Sequence, residues 1–196
     1  MIQNLHKKKR YCAMETGDHF KNGASLKSLM SRGYFLFVLL AFGVLNSGCK
    51  KDDNDKDTKE YYFTPPTSWK QGTAAGGIET FTGPNDESFS PNMSIFTEPF
   101  NGTLTAYVDA NISTLNVIYS IDLSSRTAFQ TNSGLSGERL VYLLKISGIN
   151  LRYVAYLFSP KSGSKTYVVI SGAGLASWNN KYDATFDAAA KTFSWK

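Results

Sequence analysis

The residues able to do chemistry are few, and their spacing limits what that chemistry is. Asp183 and Asp187 stand four apart in a stretch with helical periodicity, so both carboxylates fall on one helix face. Such a pair suits general acid–base or glycosidic chemistry. The plainer reading has them flank a buried stripe as a solvated face, with Lys191 as an i,i+4 ion-pair partner of Asp187. Gly172-Ala173-Gly174-Leu175-Ala176-Ser177 follows a strand pattern and opens a helical one, the context of a phosphate-cradling loop. Ser177 stands at the third glycine position and no later strand supplies a ribose-binding acid, so an ordinary strand–helix turn is expected. Glu79, Asp86, Glu87 and Glu98 match no calcium-loop spacing and read as solvated loop acids. No cofactor or metal site follows from any of these.

Of the two cysteines, Cys12 and Cys49, the second sits in the strongest local signal of the chain. Residues 34–45 form an apolar run, preceded by Lys27 and Arg32 and followed by small residues, which describes a secretory leader. At 12 residues the run is too short for a bilayer core, which needs about 20. Leu45-Asn46-Ser47-Gly48-Cys49 resembles a bacterial lipobox, with Asn46 where that family prefers leucine and Leu45 one place early. The resemblance implies cleavage before Cys49, a diacylated thiol and membrane attachment through that residue. Several acyl chains anchor firmly where one does not, at about 0.8 kcal/mol per buried methylene. Removal of residues 1–48 leaves no second cysteine, so no internal disulfide is expected. Met30 offers a better start for a leader of ordinary length than Met1 or Met14.

Loss of the leader also removes both histidines, His6 and His19. The remainder then lacks Ser-His-Asp and Cys-His nucleophile systems and every histidine-bearing metal site. Of 21 basic and 16 acidic residues, seven and two precede Cys49, leaving 14 of each. The basic balance therefore belongs to the leader and gives no argument for nucleic acid. Lys50-Lys51-Asp52-Asp53 opens a polar run that cannot bury enough apolar surface to fold. That pattern resembles the surface-export signal of lipoproteins in glycan-utilising Gram-negative bacteria with Sus-type systems. Outer-membrane display at the surface and retention on the inner leaflet both stay open. The expected organisation is a leader over residues 1–48, a lipidated tether over 49–63 and one domain over 64–196.

Within the domain, period-2 alternation predicts strands near 78–82, 93–97, 126–130, 138–146, 151–158 and 165–171. Short turns at 147–150 and 159–164 imply antiparallel neighbours. Thr103 caps a helix whose stripe is Leu104, Tyr107, Val108, Ile112 and Leu115. A second helix is expected from about 176 to 193, burying Trp178, Tyr182, Phe186, Ala189 and Phe193. Strands, helix, meander, helix is the order of an α+β domain, a central antiparallel sheet with helices packed on it. Most aromatic rings fall at core-facing periods; Tyr61, Tyr62 and Trp195 do not, and are the candidate ligand-contacting rings.

Pro66-x-x-Trp69, Phe89-Ser90-Pro91-Asn92-Met93-Ser94-Ile95, the helix start at 104–107, the Tyr142/Tyr153 meander and the closing Tyr182, Phe186, Phe193 pattern resemble the PsbP-like fold over residues 64–195. That group includes the extrinsic P protein of photosystem II, a Ran-binding nuclear import factor and many small bacterial lipoproteins. The resemblance implies an α/β/α sandwich, and its members do unrelated jobs, so fold does not give function. The expected role is a non-catalytic binding or accessory module of the cell envelope, with a protein or glycan partner and no nucleic acid. The alternatives are a carbohydrate-binding surface subunit and an enzyme relying on carboxylates alone.

Overall fold

A computed structural model describes residues 59–74, 78–86 and 89–196. The readings placed on Cys49, residues 1–58 as a whole and Glu87 lie outside the described residues.

Among the described residues, nine strands and two helices follow in the order β1 (Tyr61–Tyr62), β2 (Lys70–Thr73), β3 (Glu79–Thr82), β4 (Asn92–Pro99), α1 (Leu104–Tyr119), β5 (Asp122–Gln130), β6 (Ser136–Ile146), β7 (Ile149–Phe158), β8 (Thr166–Leu175), α2 (Asp183–Lys191) and β9 (Ser194–Trp195). Seven strands form one antiparallel sheet in the order β2-β3-β4-β8-β7-β6-β5. The α+β expectation holds, and the two faces of the sheet carry one helix each.

Alternation along the strands sorts the core into two layers. Leu140, Tyr142, Leu151, Tyr153, Leu157 and Val169 face α1, joining its Tyr107, Val108 and Leu115. Val141, Val154, Tyr156, Phe158, Val168 and Ile170 face α2, joining Phe186, Ala189, Ala190 and Phe193. Tyr142 and Tyr153 are cross-strand partners and stack at 5.4 Å with rings 5° from parallel. Thr103 caps α1 through its hydroxyl, which accepts from the Ala106 amide at 3.2 Å. The helix ends at Ser120 in a left-handed conformation with φ of 52°. It carries the chain from β4 across the face to the far edge strand, β5.

The structure departs from the sequence expectations at four places. β8 does not stop near Ser171: it runs through Gly172-Ala173-Gly174, so this run is strand, not turn. Its glycines are needed because rings from the next segment lie on them. A β-carbon on Gly172 would sit 2.6 Å from the Phe186 ring, and one on Gly174 3.1 Å from Trp178. The long closing helix is likewise broken. A single 3-10 turn at Ala176–Trp178 ends in Asn179 with φ of 50°, and α2 covers only nine residues. Third, β5 starts at Asp122 and is bulged, Leu123 pairing with Tyr142 and Ser125 with Val141. Fourth, folding starts before Thr64. β1 pairs with β9, Tyr61 opposite Trp195, inside the span assigned to the tether. Tyr61 packs on Phe193 and Phe63 on Phe81, so these rings belong to the α2-side core.

Candidate functional site

The Asp183 and Asp187 carboxylates do not face solvent with Lys191. α2 turns them down onto the sheet, where β6 and β7 present Arg139, Arg152 and Tyr156. Asp183 accepts from Arg139 at 2.9 Å and from Arg152 at 2.8 and 3.2 Å. Asp187 accepts from Arg139 at 2.8 Å and from the Tyr156 hydroxyl. Burial works against the charge on Asp183, but hydrogen bonds from Arg152 and then Arg139 outweigh it and hold the carboxyl below its ordinary range. The Tyr156 hydroxyl is pushed well up by burial and by Asp187. A carboxylate doubly engaged by guanidinium is a poor proton acceptor and a good clamp between helix and sheet.

Three of the scattered acids, Glu79, Asp86 and Glu98, are also held by their own donors, which corrects their reading as solvated. Glu79 accepts from Lys59, Tyr61 and Gln71. Asp86 accepts from Lys181 and Tyr182. Glu98 accepts from the Tyr107 hydroxyl, and burial raises its pKa. Among the described residues no three His, Cys, Asp or Glu side chains gather as a metal site.

The three candidate rings lie together on the β1–β9 ribbon, in different settings. Trp195 is half-buried, its indole N–H donating to the Ser159 carbonyl at 3.0 Å and its ring set edge-on to Phe193. Tyr61 is half-buried too, and burial followed by Glu79 raises its hydroxyl pKa. Tyr62 is open, 61% exposed, with the Lys196 ammonium 5.2 Å above its ring. Tyr61, Tyr62, Glu79, Lys59 and Lys196 line a recess of ≈ 260 Å³.

A second concavity, of ≈ 640 Å³, lies between α1 and β5. Ile112, Val117 and Leu123 supply its apolar wall, and Asp109 with Arg126 its polar rim. Arg126 bridges Asp109 of α1 and Glu138 of β6. Sequence periodicity did not point to this place, because the bulge that turns Leu123 toward α1 leaves no mark in the pattern of residues. The one available signal was Val117 on the polar side of the α1 stripe.

No protein-family model matches this sequence, and no curated protein matches it. Solved structures do. LpqN of Mycobacterium tuberculosis, described as involved in cell envelope biogenesis, aligns with a TM-score of 0.55 at 10% identity, over 68% of this chain and 82% of its own. Cyanobacterial PsbP of Synechocystis sp. PCC 6803 aligns with a TM-score of 0.52 at 17% identity, over 70% and 87%. The fold is PsbP-like. PA94, a Pseudomonas aeruginosa protein of unknown function, aligns with a TM-score of 0.52 at 13% identity, over 67% and 88%. At such identities the PsbP-like likeness speaks for architecture alone, and neither concavity inherits a ligand from it.

Proposed function

We propose that this chain is a lipid-anchored protein of the cell envelope whose PsbP-like domain works as a non-catalytic binding or accessory module. One observation carries the reading of the domain. The carboxylate pair best spaced for acid–base work, Asp183 and Asp187, is tied to Arg139 and Arg152 as a helix-to-sheet clamp. Anchoring is supported by the leader-like run ahead of Cys49. LpqN, which has the same fold, is described as acting in envelope biogenesis, in keeping with that placement. The test is incorporation of labelled palmitate in cells making the parent chain and Cys49→Ser. Label in the parent and none in the variant is expected; equal label in both overturns the anchor.

A carbohydrate-binding surface subunit is the second reading, favoured by the open Tyr62 ring beside the Glu79 recess. A saccharide seated there would alter the fluorescence of nearby Trp195. Quenching by members of an oligosaccharide panel, lost in Tyr62→Ala, is the expected result, and an unresponsive panel removes this reading.

A further inference from the structure

β5 is the outer strand of the sheet, with no strand beyond it among the described residues. Edge strands are normally blunted by shortness, lysine or proline, or turned aside locally by a bulge. The opposite edge follows that rule: β2 has four residues and begins with Lys70. β5 has nine, Asp122–Gln130, with neither Lys nor Pro. Its one irregularity, the bulge, has a consequence for shape. Leu123 pairs with Tyr142 and Arg126 with Leu140, both on the α1 face, so Leu123 and Arg126 share a face although three residues apart. The free edge therefore runs beside the ≈ 640 Å³ groove. Val117 is 77% exposed and Leu123 37%, and these are two of the four large exposed hydrophobics among the described residues. An unpaired backbone beside paired apolar side chains is the layout that accepts an added strand.

We propose that an extended segment of a partner protein docks here as an eighth strand on β5, setting an apolar side chain against Val117 and Leu123 and a Lys or Arg against Asp109. The charges choose the partner. Two carboxylates, Asp109 and Glu138, share the single guanidinium of Arg126, and the Asp109 side chain stays 59% exposed. Asp109 is the only charged residue of α1. A second copy pairing β5 with β5 would bring another Asp109 and an Arg126 already bridged, so that arrangement offers no new cation. A basic and apolar strand supplies what is short. The pairing rests on the reading of the domain as a binding module and gives that module its kind of partner.

The probe is an end-blocked octapeptide of alternating valine and threonine with one central lysine, its binding to the unacylated Cys49→Ser chain followed by fluorescence anisotropy. Exchanging the lysine for glutamate is expected to weaken binding about tenfold, since attraction becomes repulsion. Methylating alternate peptide nitrogens is expected to abolish it, because the ladder bonds are lost. Val117→Ser is expected to weaken binding about tenfold, by lost apolar burial, and Asp109→Asn about fivefold, both at unchanged Tm. No binding, or binding indifferent to the lysine and to N-methylation, overturns the proposal. So does a sedimenting dimer that Val117→Ser dissociates, which would give the edge to a second copy. Acylation plays no part in this measurement, so its failure and a failed palmitate test are separate results.

Discussion

The ring of Phe186 occupies the space that a β-carbon on Gly172 would need, its Cγ 2.6 Å from that position. Gly172 lies inside β8 between Met93 of β4 and Val154 of β7, so the backbone has no room to yield sideways. Phe186 is 2% exposed and fixed by α2 above. Gly172→Ala is therefore expected to destabilise the domain by about 1–3 kcal/mol, the usual cost of overpacking. Urea denaturation checks it, and Gly172→Ala combined with Phe186→Leu should recover part of the loss. An unchanged midpoint for Gly172→Ala would mean that α2 does not sit this close.

The clamp beneath α2 gives a pH-dependent prediction. Asp183 is held below its ordinary range, so the folded state binds its proton less tightly than the unfolded state does. Its stabilisation is present above the unfolded carboxyl pKa, about 3.9, and disappears as pH falls through the lower folded value. Asp183→Asn should accordingly cost stability at pH 7, about 1–3 kcal/mol for partly buried groups left without their charged partner, and much less at pH 3. A double-mutant cycle with Arg152→Ala should show coupling of about 1 kcal/mol or more. A cost that is the same at both pH values would detach the effect from the carboxylate.

Much of this architecture was readable from residue patterns. The α1 stripe and its Thr103 cap, and the β6–β7–β8 meander, follow from periods of 3.6 and 2 with turn residues between them. The failures share a physical cause. Gly172 and Gly174 read as a turn because glycine usually means backbone freedom, whereas here it makes room for Phe186 and Trp178, residues that arrive later in the chain. Asp187 was read against Lys191, its neighbour on the helix, but its partners Arg139 and Tyr156 are 48 and 31 residues away. β1 and β9 are two residues each, too short for any period, and exist only because Tyr61 and Trp195 meet across the whole domain. The α1–β5 groove depends on a bulge, which register reveals and composition does not.

Glu98 behaves in the opposite sense to Asp183. Burial raises its pKa against the opposing effect of the Tyr107 hydrogen bond. The folded state then holds the proton more tightly than the unfolded state, so stability is greatest below the ordinary carboxyl range and falls as pH rises through the raised folded value. Glu98→Gln keeps an acceptor for the Tyr107 hydroxyl and removes the buried charge. It should raise Tm at pH 7 and leave it nearly unchanged at pH 4, measured by calorimetry. A lower Tm at pH 7 would show that the charge-assisted bond to Tyr107 outweighs desolvation.

The β1–β9 ribbon decides where the cooperative unit starts. Phe193 stacks on Phe158 at 5.3 Å with rings 8° from parallel, and Tyr61 packs on it at 5.5 Å. Phe63 does the same for Phe81 at 5.4 Å. Both covering rings are half-buried, so removing them costs less than the loss of a full core phenylalanine, about 2 kcal/mol together. A chain beginning at Thr64 should therefore unfold at lower urea than one beginning at Lys59, with a smaller m-value because less surface is exposed on unfolding. Tyr61→Ala with Phe63→Ala in the longer chain should reproduce most of the shift, which separates the rings from the mere length of chain. If instead the two chains melt together, the ribbon lies outside the cooperative unit and the recess beside Tyr62 and Glu79 opens and closes independently of the sheet.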